Sequence, residues 1–181
     1  MPEPAQPSAP IPDDHGLLAW TYDPSFASTA QSPVIGTVYL TALYLRKPMT
    51  ITRCWFMTSA AATTPTTNQN WIGLYNSSGT LLSSGNADSA VTNANTPRSV
   101  NLAAPQTVGS GMYWIGMVFN AATNAQILRA NGAFSGTNNV NLGNTQLRYA
   151  INGTSQTTLP ANITPSSNTA SGAFSFWSAV N

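Results

Sequence analysis

The chain has 181 residues, enough for one domain with a real core, and 6% of them are charged, against roughly 25% in an average soluble domain. A net charge of +1 gathers neither phosphates nor anionic lipid, so nucleic acid is not an expected partner. One cysteine, Cys54, allows no intramolecular disulfide, and one histidine with five acidic residues offers no zinc cage, so no metal or cofactor is expected.

The first fifteen residues are set apart. Pro2, Pro4, Pro7, Pro10 and Pro12, with small residues between them, form neither helix nor ladder and predict an extended, polyproline-like anchoring arm over 1–15. MPEPAQPSAPIPDD has no basic n-region and no apolar h-region, and nowhere do about 18 apolar residues run together. The expectation is synthesis in a cytoplasm and no membrane insertion. Asp13, Asp14 and His15 in PDDHG resemble a catalytic or metal fragment. Three adjacent residues on an arm point in different directions, however, and the reading is a polar junction.

Residues 16–181 predict a single β-sandwich domain. GLLAWTY (16–22) is the first strand and GTVYLTALYLRKP (36–48) the second, stopped by Pro48. MTITRCWFMTSA then alternates, with Ile51, Arg53, Trp55 and Met57 on one face and Thr52, Cys54 and Phe56 on the other. Both faces carry bulk, which calls for packing on the core with one and on a sheet edge or another subunit with the other. WIGLYN and TLLSSG form a hairpin through Ser77, Ser78 and Gly79, with Trp71, Gly73 and Tyr75 opposite Ile72 and Leu74.

RSVNLAAPQTV runs into Pro105, and GMYWIGMVFNAA sets Tyr113, Ile115, Met117 and Phe119 against Met112, Trp114 and Val118. AQILRA, QLRYAIN and GAFSFWSAV bring the total to about nine or ten strands at the spacing of a sandwich or barrel. No segment keeps a helical apolar period without Gly, Pro or β-branched residues intruding. The fold class is all-β, an antiparallel, jelly-roll-like β-sandwich with an extended Pro-rich N-terminal arm. Residues 59–70 and 154–172 are expected as loops, where binding usually resides.

Chemistry is sparse. A sugar hydrolase needs two carboxylates about 5 to 10 Å apart, and beyond residue 15 only Asp23 and Asp88 remain. A Ser or Cys nucleophile has only His15 as base. Cys54, between Arg53 and Trp55, reads as a buried, inert thiol. The protein is therefore expected not to be an enzyme, with no catalytic, cofactor-binding or metal residues. Trp20, Trp55, Trp71, Trp114 and Trp177 are the remaining source of specific contacts. All but Trp20 sit in strand patterns, where packing is the commoner fate. No glycan contact is named. The sequons at Asn76, Asn152 and Asn162 follow from the abundance of Asn, Ser and Thr.

The succession GTVYLTALYLRKPMTITRCWF, NWIGLYNSSGTLL, QTVGSGMYWIGMVFN and RYAINGTSQTTLP…SFW resembles small β-rich virion proteins of tailed phages that infect actinobacteria, the minor tail or receptor-binding proteins. A W-x-G-L-Y hairpin and a later G-x-Y-W strand recur there in similar order, and the resemblance covers roughly residues 16–181. It implies a non-enzymatic structural protein at the virion surface, made in the bacterial host cytoplasm, with other tail, baseplate or capsid proteins as partners. It also implies a homo-oligomer, a homotrimer as in fibre tips, and contact with a cell-wall polysaccharide. Since no long shaft is present, a capsid decoration protein stands as the alternative, and a carbohydrate-binding module or cryptic hydrolase as another.

Overall fold

A computed structural model describes residues 10–130, 135–172 and 174–181. Its strands are β1 (Ala19–Trp20), β2 (Thr29–Gln31), β3 (Tyr39–Leu45), β4 (Met49–Ala60), β5 (Thr63–Pro65), β6 (Trp71–Asn76) and β7 (Leu81–Asn86). After them come β8 (Thr96–Val108), β9 (Gly111–Val118), β10 (Ala121–Thr123), β11 (Gln126–Arg129), β12 (Tyr149–Ile151), β13 (Thr169–Ala170) and β14 (Ala179–Val180). The one α-helix among the described residues is a single turn, α1 (Ser135–Asn138).

All strand pairs are antiparallel and build two large sheets. Sheet I has the order β1-β14-β4-β11-β2, with β8 on the other edge of β4; sheet II runs β13-β12-β3-β9-β6-β7, and β10-β5 is a small separate ribbon. The longer strands pass back and forth between the sheets, β3 to β4 to β6 and β7 to β8 to β9, the habit of jelly-roll connections. The fold is an all-β antiparallel sandwich.

The predicted alternation holds in β9 and β6. Ile115, Met117, Ile72 and Leu74 face inward, and Trp114, Val118 and Tyr75 outward. In β4 it breaks once. Ile51 joins Cys54 and Phe56 in the inner core, because a bulge inserts Thr52 and Arg53, whose N–H groups both donate to the Asn181 carbonyl (2.7 and 3.0 Å). The same irregularity leaves residues 102–105 of β8 without partners on β4. β8 pairs with β4 alone, so Pro97 and Pro105 sit in it without removing a ladder bond on a second side.

Three apolar layers result. Between the sheets, Ile51, Cys54, Phe56 and Ile127 meet Leu43, Ile72, Leu74, Ile115 and Met117. Each such fully buried side chain contributes about 1.5–3 kcal/mol. Over the outer face of sheet II, Leu147, Leu159 and Ile163 cover Leu40, Tyr75, Trp114 and Val118. Over the outer face of sheet I, Leu17, Trp20, Tyr22 and Ala27 cover Trp55, Met57, Trp177 and Ala179. The second apolar face of β4 is thus covered from within the chain, without requiring a subunit.

One expectation for a segment changes, and the expected loop 154–172, irregular apart from a 3-10 turn (Pro165–Ser167) and β13, has a place in the packing. The end of the arm, Pro12–His15, is a 3-10 turn closed by Gly16 at φ +66°, with the Leu17 N–H donating to the Pro12 carbonyl. The stretch 154–172 is a lid on sheet II, tied by Asn152 Nδ2 to the Thr164 carbonyl (2.9 Å) and Asn168 Oδ1 (2.7 Å).

The hairpin turn shows how side chain and backbone agree locally. Asn76 Oδ1 accepts from Ser78 N–H (3.1 Å), Ser78 Oγ (2.9 Å) and Thr80 N–H (2.9 Å), an Asx-type substitute for backbone pairing. Gly79 follows at φ +93°, and a Cβ there would stand 2.2 Å from the Ile163 carbonyl oxygen. Glycine is required both for the conformation and for the approach of the lid.

Candidate functional site

The Pro12–His15 turn separates two concavities. Pro12 supplies the fixed φ of the first position, and Asp14 Oδ2 accepts the Ile11 N–H at 2.9 Å. His15 then meets Trp20 edge to face, ring centroids 5.3 Å apart. Pairing of β1 with β14 holds Trp20 opposite Ala179. Beside it, β3 ends and the chain turns at Arg46-Lys47-Pro48 into β4.

These pieces wall an open groove of about 630 Å³, lined by Ile11–Asp13, Leu18–Tyr22, Tyr44, Arg46, Lys47 and Met49. Tyr44 is 49% exposed while Leu43 and Leu45 beside it are buried. Trp20 and Tyr22 are partly buried and Arg46 and Lys47 exposed. The Tyr22 hydroxyl donates to the Ser175 carbonyl (3.1 Å), and burial drives its pKa up, so it stays protonated. The groove therefore offers aromatic surfaces beside one carboxylate and two cations, a mix of apolar faces and a few placed polar groups that suits a polyhydroxylated ring.

A cavity of about 250 Å³ lies across the turn, lined among others by His15, Leu17, Trp55, Met57, Pro97 and Trp177. It is mainly apolar. Trp177 Nε1 donates to the Tyr22 carbonyl at 3.0 Å, whereas Trp55 Nε1 is enclosed and has no acceptor.

The residues singled out in the sequence do not converge. Asp23 caps the Pro24–Phe26 turn, accepting the Ser25 N–H at 2.8 Å, and the backbone and side-chain hydrogen bonds from Ser25 hold its pKa down. Asp88 belongs to another network, with Asn68, Asn70 and Asn86. Neither carboxylate shares a partner with the other. Cys54 is fully buried between the sheets, and burial pushes its thiol up to about 12, so no thiolate forms near neutral pH. Among the described residues no three His, Cys, Asp or Glu side chains gather as metal ligands. Trp114 is wholly buried and donates to the Leu147 carbonyl (3.2 Å); Trp71 donates to the Asn68 carbonyl (2.9 Å). Pro2, Pro4 and Pro7 lie outside the described residues, and Pro10 is exposed.

Sequence reasoning missed the groove because its walls come from residues 11–22 and 44–49, which only the sheet brings together. Its traces in sequence were Trp20, the one tryptophan outside a long strand pattern, and Arg46-Lys47, the one basic pair. No protein-family model matches the chain, and no curated protein or solved structure is significantly similar to it.

Proposed function

We propose that the protein is a non-enzymatic virion surface component of a tailed phage, carried by its N-terminal segment and displaying a β-sandwich whose Trp20–Tyr44 groove contacts a host cell-wall polysaccharide. The observation that carries the adhesion reading is the groove itself: partly exposed aromatic faces beside Asp13, Arg46 and Lys47 on a surface otherwise poor in charge. The placement on a virion rests on the resemblance of short sequence motifs within residues 16–181 to minor tail proteins. Capsid decoration is the second reading, favoured by the Pro-rich segment, which suits main-chain docking along a neighbouring capsid protein.

The test is sedimentation of the purified protein with isolated actinobacterial cell walls. Binding is expected, with the exposed Tyr44→Ala weakening it by about tenfold or more while Tm falls only modestly; Trp20→Ala, which also removes packing over sheet I, is expected to lower both binding and Tm. No binding by the folded protein refutes the adhesion reading. Counting copies per virion by quantitative mass spectrometry separates the two placements, since decoration requires hundreds and a tail component few.

A further inference from the structure

The 250 Å³ cavity across the turn from the groove is walled by Trp55, Trp177, Met57, Pro24, Pro97 and His15. It is smaller than the roughly 300–1,000 Å³ of small-molecule sites, a size suited to one or two side chains of a peptide. The indole N–H of Trp55 is enclosed without an acceptor, and Met57 beside it is the most adaptable wall, unbranched and free to change rotamer. Flat indole faces with an uncommitted N–H are the means by which proline-rich segments are received: pyrrolidine rings pack on the aromatic surface, and polyproline carbonyls, unused within their own helix, accept from the indole. This chain contains such a segment, MPEPAQPSAP, at its N-terminus.

We propose that this cavity receives the Pro-rich N-terminal segment of a second copy of the chain. A second copy fits better than the same chain for two reasons. Ile11 and Pro12 line the groove while His15 and Leu17 line the cavity, so the chain leaves the domain on the groove side of the turn. A sequence with prolines at 2, 4, 7, 10 and 12 has restricted backbone freedom, which disfavours a sharp reversal across that turn. Nine residues would span about 28 Å if they took polyproline form, enough to reach a neighbouring molecule. On entry, Met57 moves aside and a segment carbonyl takes the Trp55 N–H. This inference does not depend on what the groove binds.

Sedimentation velocity of the full-length protein over a concentration series tests it. Wild type is expected to associate as concentration rises. The double variant Pro4→Ala/Pro7→Ala, which leaves every described contact in place, weakens association by about tenfold. Trp55→Phe, which keeps a ring and removes the N–H, weakens it by about fivefold. Excess synthetic MPEPAQPSAP returns wild type to monomer and changes its tryptophan emission. A monomer at every concentration overturns the proposal, as does association indifferent to the arm substitutions and to the peptide. A monomer whose emission shifts with Pro4→Ala/Pro7→Ala at all concentrations places the chain's own segment in the cavity and overturns it too.

Discussion

The Asp88 carboxylate accepts from the Asn68 N–H at 2.6 Å, from Asn70 Nδ2 at 2.9 Å and from Asn86 Nδ2 at 3.2 Å. Asn70 is fully buried and its Oδ1 accepts the Asn120 N–H at 2.8 Å, so one carboxylate joins the 66–70 junction, the end of β7 and the chain after β9. Partial burial alone raises the Asp88 pKa, but the hydrogen bonds from Asn68, Asn70 and Asn86 outweigh it and the net shift is downward. A carboxylate held low in the folded state stabilises above the ordinary value of about 3.9, and that contribution is lost as pH falls through the depressed folded pKa. Asp88→Asn is therefore expected to cost about 1–2 kcal/mol at pH 7 and to flatten the fall in Tm below about pH 4; thermal melts at both pH values check this. Gly79→Ala, with its Cβ driven against the Ile163 carbonyl at φ +93°, is expected to lower stability by at least about 2 kcal/mol in urea unfolding.

At the scale of elements, β4 and β9 were legible because twelve and eight residues display a period of two. β2, β5, β10 and β13 have two or three residues each and no period to read. The faces were legible too, except where the bulge at Thr52-Arg53 turns Ile51 inward; its cause is the Asn181 carbonyl, 128 positions away from Arg53 in the chain, which no local pattern encodes. What the sequence did not show is that the loop 154–172 and the expected first strand act as covers: Leu159, Ile163 and Leu17 are apolar, but what they cover is set by the sheets. The covers give a prediction about boundaries. Removing residues 1–9 leaves the three apolar layers intact, and at concentrations where the protein is monomeric it is expected to leave Tm within about a degree. Removing residues 1–22 strips Leu17, Trp20 and Tyr22 from Trp55 and Trp177, exposing an apolar face that is expected to aggregate. Melting and light scattering of the two truncations distinguish these outcomes.

For the whole molecule, eleven charged residues in 181 leave little for salt to screen. Stability rests on three apolar layers and on amide networks, so Tm is expected to change little between low salt and about 1 M NaCl and to rise in sulfate, which strengthens burial. A fall of more than a few degrees in NaCl would show that charges matter more than this architecture allows. The coverage of both outer faces by the chain itself also changes the case for assembly: two-faced strands do not demand a partner here. Any association must come from specific features such as the cavity at Trp55.

The pairing of β14 between β1 and β4 carries a consequence for biogenesis. β1 has no ladder until β14 exists, and the Thr52 and Arg53 N–H groups wait for the Asn181 carbonyl. On the ribosome, sheet I stays open along part of the inner edge of β4 until residue 181 has left the exit tunnel. Sheet I closes only once residues 179–181 are available, and until then the nascent chain presents an unpaired, apolar strand edge for a chaperone to shield.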